Sequence, residues 1–115
     1  MFKLFKSFGW AASGLRAVWR EEPNFRIEIA FAILVILLGA IFDISRIDWI
    51  FLIIAIAMVL CGEIVNTAIE DLCNKVESGH DKVIGHIKDI MAGFVLLSSL
   101  ASAAIGIIIF SKYIF

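Results

Sequence analysis

Residues 49–71 read WIFLIIAIAMVLCGEIVNTAIED, and this stretch is the most informative about the fold. Thirteen residues from Trp49 to Cys61 carry no charge, and Glu63, Asn66, Glu70 and Asp71 then follow while the helical pattern continues. A helix over residues 48–77 would be about 45 Å long at 1.5 Å per residue, which exceeds the ~30 Å hydrocarbon core of a bilayer. We therefore expect a membrane-spanning helix whose polar end projects into water.

The composition of the chain is that of a membrane protein. Hydrophobic residues account for 62% of its 115 residues, and its mean hydropathy is +1.00. Soluble globular domains have about 45–50% apolar residues, and a chain of this length is normally one domain. The cationic N-terminus lacks the uninterrupted apolar core of a signal peptide, so we interpret it as retained structure. Cys61 and Cys73 lack the spacing of a zinc or redox pair and are expected to be small buried hydrophobic residues.

Four helices are predicted, which gives an all-α membrane protein with one surface helix and three transmembrane helices. Residues 1–20 place basic side chains opposite aromatic ones, a pattern typical of an amphipathic helix lying in the membrane interface. Pro23 separates this helix from the three predicted spans, which cover residues 25–42, 48–77 and 87–110. Small residues recur in the last span and three spans enclose little interior, so we expect an oligomer.

The basic residues predict the orientation in the membrane. Eight of the ten lysines and arginines lie in the N-terminal segment up to the start of the first span, or in and next to the loop between the second and third spans. Arg46 and Lys112 lie elsewhere. By the positive-inside rule, the N-terminus and the second loop (residues 77–86) are expected in the cytoplasm. The short loop DISRID (residues 43–48) and the C-terminus are then expected outside.

A polar stripe follows one face of the second span where the apolar run ends. Four side chains at the spacing i, i+3, i+4, i+7 share about 100° of one helix face, and they are Glu63, Asn66, Thr67 and Glu70. A carboxylate at headgroup depth suits a general base, and Mg²⁺ takes carboxylates together with phosphate oxygens. Further acids and cations are predicted at the same level, namely Glu22, Glu28, Asp89, Lys88, Arg16 and Arg20. These are the groups that phosphoryl transfer needs.

The residues alone leave two other interpretations open. The stripe could line a cation path in a non-enzymatic channel or transporter subunit, or it could be a solvated helix end held by lysine and arginine side chains. The chain has neither a P-loop nor a G-x-G-x-x-G motif, which excludes a standard nucleotide-binding fold.

Several stretches resemble the bacterial integral-membrane diacylglycerol kinases, a family that includes undecaprenol kinases. The resemblance is carried by EIVNTAIED (63–71), IKDIMAG (87–93), GLRAVWREEPNFRIE (14–28) and DISRIDW (43–49). It implies a homotrimer with composite sites between subunits at the cytoplasmic face of the bacterial inner membrane. It also implies ATP as phosphoryl donor, Mg²⁺ as cofactor and a membrane lipid alcohol as acceptor.

The resemblance also implies roles for individual residues. Glu63 corresponds to the general base, and Asn66 would support the reacting groups beside it. Glu70 and Glu22 resemble the family's metal-binding carboxylates. The reaction would then transfer a phosphoryl group to the primary hydroxyl of the lipid.

Further residues are expected to contact the two substrates. Lys88 would meet the nucleotide phosphates, Arg16 supplies another cation for them, and Asp89 would shape the lipid or nucleotide site. Asn74 stands where the family often has Asp, which bears on nucleotide contacts, and Ala92 stands where some members have Ser. The stretch NFRIE and the outer loop resemble the undecaprenol kinase branch more than the enteric diacylglycerol kinases. We therefore expect undecaprenol rather than diacylglycerol as the acceptor.

Overall fold

The computed structural model describes residues 2–77 and 79–115, and all regular secondary structure among them is α-helical. Four helices follow one another: α1 (Phe2–Glu21), α2 (Pro23–Ile41), α3 (Arg46–Val76) and α4 (Lys82–Ile114). The last three are long and apolar enough to cross a membrane. The prediction of an all-helical protein with three candidate spans is therefore confirmed. We call the end of the bundle where α1 lies the α1 end.

The break between α1 and α2 comes from a proline and is held by an arginine. Glu22 is extended, with φ −117° and ψ 103°, and Pro23 is the first residue of α2. Proline suits this position because the first backbone N–H of a helix has no partner in any case. The Arg26 guanidinium donates to the carbonyl oxygens of Trp19 and Arg20, which are among the unpaired acceptors at the end of α1.

The turn between α2 and α3 is tight at the other end of the bundle. Asp43 has a φ of 52°, a left-handed conformation that aspartate tolerates better than most residues. The Ser45 hydroxyl then accepts a hydrogen bond of 3.2 Å from the backbone N–H of Asp48, so Ser45 caps α3. A Cβ on Gly39 would lie 2.8 Å from Trp49 Cη2, so the close approach of α2 and α3 requires glycine there.

α3 and α4 form the most extensively packed pair of helices, and polar bonds link them at three levels. At the α1 end, Lys88 Nζ donates to Asn74 Oδ1 at 3.0 Å. Midway along the helices, Ser102 Oγ donates to the carbonyl oxygen of Ala55 at 2.9 Å. At the opposite end, Lys112 and Tyr113 both donate to the Asp48 carboxylate, and we call these three residues the Asp48 clasp. The register of the two helices is thus fixed along their whole length.

A groove runs along α3 because α2 and α4, within the described residues, do not pack against each other. Its volume is about 770 Å³, and side chains from all three spans line it. The Glu28 carboxyl group lies towards its α1 end, and Phe110 and Phe115 lie towards the opposite end.

Both ends of α4 differ from the sequence prediction by four residues or more. α4 begins at Lys82 rather than at residue 87, because the Asp81 carboxylate accepts a 3.0 Å hydrogen bond from the backbone N–H of Ile84 and starts the helix. It also continues to Ile114 instead of ending at residue 110. The predicted loop of residues 77–86 is correspondingly shorter, and its Ser78 lies outside the described residues.

The cysteine prediction is only half right. Both thiols are free, but only Cys73 is buried, whereas Cys61 is exposed on α3. The apolar sequence on both sides of Cys61 concealed this difference because nearly every face of a membrane-spanning helix is apolar.

Candidate active site

The polar stripe of α3 faces α1 and α2 instead of the apolar surroundings. Glu63 is 2% exposed, although it lies in a helix built to cross a membrane. The neighbouring Thr67 hydroxyl is also buried and donates to the carbonyl oxygen of Glu63 at 2.9 Å. One turn further along, Asn66 Nδ2 donates to Glu70 Oε1 at 3.3 Å. Neither bond uses the Glu63 carboxyl group, and the bond from Asn66 orients the Glu70 carboxylate.

Carboxyl groups of α3 meet carboxyl groups from the α1–α2 segment at two adjacent levels. Glu63 lies within hydrogen-bonding reach of Glu28 on α2. Glu70 lies in the same relation to Glu22, the residue between α1 and α2. Glu28 Oε2 is buried and has no hydrogen-bond partner among the described residues. Two ionised carboxylates repel each other and have no proton to donate. Each pair is therefore stabilised when it shares a proton or a cation.

Glu22 and Glu70 are two carboxylates that could together hold a magnesium ion. Burial, followed by the negative charges of Glu70 and Glu63, raises the pKa of Glu22 above its usual range. A divalent cation between Glu22 and Glu70 would remove that repulsion. Mg²⁺ usually takes one or two protein carboxylates and completes its shell with water and substrate phosphates. The described residues contain no group of three or more possible metal ligands, and a two-carboxylate site fits this preference.

A third carboxyl pair lies beside the predicted stripe. Glu21 on α1 and Asp71 on α3 lie within hydrogen-bonding reach of each other, and this proximity is the main reason that the pKa of Glu21 is raised. Both residues line a second cavity of about 500 Å³ between the two helices. The pair links α1 to α3 next to Glu22 and Glu70.

The structure brings some of the remaining predicted residues together and leaves others apart. Lys88 and Asn74 are joined by their hydrogen bond at the α1 end. Arg16 and Asp89 are exposed, and neither belongs to a side-chain hydrogen bond found in the described part of the chain. Their predicted contacts with substrates stay predictions.

Glu28 is the main residue that the sequence reasoning did not assign a role. The sequence indicates only that it is an acid at the level of the stripe. The available signal was its position inside an apolar run, since an ionisable residue within a membrane span is by default a functional candidate. Its contact with Glu63 depends on how α2 crosses α3, which a single sequence does not specify.

Comparisons with known proteins agree on one family. The family described as prokaryotic diacylglycerol kinase matches residues 9–110. The undecaprenol kinase of Bacillus subtilis (strain 168) is 32% identical over 108 residues, which cover 94% of this chain and 88% of that protein. The diacylglycerol kinase of Escherichia coli (strain K12) is 29% identical over 100 residues, with 87% and 82% covered. The diacylglycerol kinase of Synechocystis sp. is 28% identical over 104 residues, with 90% and 59% covered.

Proposed function

The chain belongs to the prokaryotic diacylglycerol kinase family of lipid kinases, and from that premise we propose that it phosphorylates the primary hydroxyl of a membrane lipid alcohol with ATP. One observation carries the proposal: the buried Glu63 and Glu28 pair lies deeper in the bundle than the Glu22 and Glu70 pair. Seven residues of α3 separate Glu63 from Glu70, about 10.5 Å along the helix axis. The deeper level, at Glu63 and Glu28, therefore suits a lipid hydroxyl. The outer level, at Glu22 and Glu70, suits a nucleotide that arrives from water.

Glu63 acts as the general base in this proposal. Its carboxylate accepts the proton of the lipid hydroxyl, and that oxygen forms a bond to the γ-phosphorus of ATP. The bond between the γ-phosphorus and the bridging oxygen of ADP breaks, so ADP leaves with that electron pair. Glu28 lies beside Glu63 and provides a second carboxylate that shares the abstracted proton.

Glu22 and Glu70 would hold Mg²⁺, and Asn66 would keep the Glu70 carboxylate oriented towards Glu22. When bound, the ion neutralises charge on the nucleotide phosphates. The mutual repulsion of the two carboxylates supports this assignment, because the site has excess negative charge without a cation.

Three more residues contact the substrates. Lys88 donates to the nucleotide phosphates, and Arg16 supplies a second cation for them from α1. Asp89, which follows Lys88 at the beginning of α4, shapes the lipid or nucleotide site. The exposure of all three side chains supports their access to a nucleotide in water.

Undecaprenol is the preferred acceptor in this proposal, and diacylglycerol is the second choice. The higher identity to the relative named undecaprenol kinase supports this order. Both lipids present a primary hydroxyl at the headgroup plane, so the same base and metal ligands serve either one.

The proposal also includes the assembly and its orientation. The protein is a homotrimer in the bacterial cytoplasmic membrane, with its sites between subunits, its N-terminus in the cytoplasm and its C-terminus outside. The distribution of basic residues supports this orientation. The apolar groove beside α3 supports an assembly in which further helices cover the three spans. Aromatic side chains exposed along α1, such as Phe5, Phe8 and Trp10, support its placement in the membrane interface.

The direct test supplies purified protein in lipid with Mg²⁺, ATP and either undecaprenol or diacylglycerol, and it measures lipid phosphate and ADP. We expect both products in equal amounts, with faster turnover of undecaprenol. Glu63→Gln should lower kcat by about 10²- to 10⁴-fold, the usual contribution of a general base, while the melting temperature stays near that of the wild type. Normal turnover by this folded variant would show that Glu63 is not the base.

A further inference from the structure

We propose that Arg26 is a positioning residue that holds the corner between α1 and α2, and through this corner keeps the Glu22 carboxylate opposite Glu70. This inference rests on the proposed kinase function, in which Glu22 and Glu70 hold Mg²⁺. Arg26 touches neither the metal nor a substrate in this role. It acts by joining the chain that precedes Glu22 to the chain that follows it.

The direction of the Glu22 side chain depends on the angle at which α1 meets α2, because Glu22 is the single residue between them. Its backbone is extended; its N–H donates to the Val18 carbonyl oxygen at 2.9 Å, and its carbonyl oxygen accepts from the Phe25 N–H at 3.1 Å. Beyond this corner, α1 packs on α2 and α3 much less extensively than α3 packs on α4. A further restraint is therefore needed to keep the carboxylate in place relative to α3.

Arg26 supplies this restraint, since its side chain returns from the beginning of α2 to the end of α1. Its Nη1 donates to the carbonyl oxygens of Trp19 and Arg20, the second at 3.4 Å. These carbonyl groups lie at the negative end of the α1 dipole, where a cation is favourable. A cation near the beginning of α2 is unfavourable for the dipole of that helix. The position of Arg26 is therefore explained by its bonds to α1.

The same bonds keep the guanidinium away from the acids on either side of it. Glu22 and Glu28 flank Arg26 along the chain, and within the described residues Arg26 forms an ion pair with neither. Burial, followed by the charges of Glu70 and Glu63, raises the pKa of Glu22, whereas a guanidinium in contact with that carboxylate would lower it. Arg26 thus fixes the corner and leaves the negative charge of Glu22 for a metal ion.

The test compares Arg26→Met, Arg26→Gln and Arg26→Lys in the full-length protein at saturating ATP. Arg26→Met should raise the half-saturating Mg²⁺ concentration by about 10- to 100-fold, the usual effect of removing a group that orients a metal ligand. The KM for the lipid should stay within about twofold, because the pair of Glu63 and Glu28 is unchanged. Arg26→Gln keeps a neutral donor and Arg26→Lys keeps a charged one, so both should recover part of the Mg²⁺ affinity. Lys75→Met removes an exposed cation from the end of α3 and should behave like the wild type.

A second measurement separates this inference from the kinase proposal. Binding of Mn²⁺ alone, followed by the electron paramagnetic resonance of the free ion without lipid or nucleotide, should be lost in Glu22→Gln and weakened most in Arg26→Met. If neither lipid is phosphorylated, the kinase proposal fails, whereas the order of Mn²⁺ affinities still decides the role of Arg26. Absence of Mn²⁺ binding to the wild type, or wild-type affinity in a folded Arg26→Met, would overturn the inference. If Arg26→Met does not fold, wild-type Mn²⁺ affinity in Arg26→Gln overturns it instead.

Discussion

Glu63 lies in surroundings that are unfavourable for a lone carboxylate, since it is buried in a membrane-spanning helix with another acid, Glu28, beside it. No lysine or arginine in the described part of the chain forms an ion pair with either group. Stability alone would not favour this arrangement, because a buried ionisable pair without a counter-ion costs free energy. The role proposed for Glu63 explains the arrangement better, since a base that must abstract a proton benefits from a position buried away from water.

The pKa of Glu22 leads to a prediction about magnesium dependence. In the proposed site a proton and Mg²⁺ would compete for this carboxylate, and its raised pKa means that the proton competes at higher pH than it would for an ordinary glutamate. The half-saturating Mg²⁺ concentration for lipid phosphorylation should therefore increase as the pH is lowered from about 7.5 to about 5.5. Steady-state assays over a series of Mg²⁺ concentrations at each pH will measure it.

Two variants serve as comparisons for the magnesium prediction. Glu22→Gln removes the titrating group, so its half-saturating Mg²⁺ concentration should be higher and should depend less on pH. Glu77→Gln removes an exposed carboxylate at the end of α3 and should behave like the wild type. A wild-type magnesium requirement that does not change with pH would contradict the assignment of Glu22 as a ligand.

The candidate site was predictable from sequence to the extent that its residues share one helix. The spacing of Glu63, Asn66 and Glu70 placed them on one face of α3, and the structure shows the bond between Asn66 and Glu70. The contacts between helices could not be predicted from the sequence in the same way. The partners of Glu63 and Glu70 come from the α1–α2 segment, so they depend on the packing angle of helices that are apolar on nearly every side.

At the scale of the helices, the boundaries depended on capping residues more than on hydropathy. The apolar runs located α2, α3 and α4, but Ser45 and Asp81 determine where α3 and α4 begin. An Asp or Ser in front of a helix supplies a side-chain acceptor for an unpaired backbone N–H. The sequence prediction places Asp81 in a loop because the charged residues around it conceal this signal.

The Asp48 clasp could not be deduced from the sequence for a related reason. Asp48 is 5% exposed and accepts from both Lys112 and Tyr113, which are far away along the chain. The sequence placed Lys112 and Tyr113 at a membrane interface, where these residue types are common. Their convergence on one aspartate appears only when α4 is laid along α3 in the observed register.

Gly39 provides a prediction about the packing of α2 on α3. Gly39→Ala places a methyl group within 2.8 Å of the Trp49 ring, which is too close without displacement of the ring or the helix. We expect it to destabilise the protein by about 1–3 kcal/mol, the usual cost of overpacking. Thermal or denaturant unfolding in detergent micelles will measure the change.

Gly85→Ala is the matched control, because nothing lies within 4 Å of the Cβ that it adds on α4. It should be neutral or should stabilise the protein by up to about 1 kcal/mol, since alanine is the better helix former. Equal effects of the two substitutions would show that the contact of Gly39 with Trp49 is not tight.

At the scale of the whole molecule, one chain leaves much of its apolar surface uncovered. Large hydrophobic side chains along all three candidate spans are exposed, and the groove between α2 and α4 stays open. In a membrane, lipid or neighbouring chains cover such surfaces at little cost. Within a single chain, α3 and α4 are therefore held together by extensive packing, whereas α2 is held against α3 by fewer contacts.

The proposed orientation can be tested by thiol labelling in intact cells. The background variant carries Cys61→Ala and Cys73→Ala, and single cysteines are then introduced as His80→Cys or Phe115→Cys. A membrane-impermeant maleimide should label position 115 in intact cells and position 80 only after the membrane is opened. Labelling of position 80 from outside would reverse the proposed topology and place the site on the wrong side for cytoplasmic ATP.

The length of α3 has a consequence for the membrane in which the protein works. Its 31 residues span about 46 Å, so the helix is longer than a typical hydrocarbon core. A mismatch between the apolar part of the helices and the hydrocarbon core is relieved by tilting of the helices or by a local change in bilayer thickness. Either adjustment changes the height of Glu63 relative to the hydroxyl groups of the surrounding lipids. The depth of Glu63, the proposed base, therefore depends on the acyl-chain length of the host bilayer, and we expect turnover to depend on bilayer thickness.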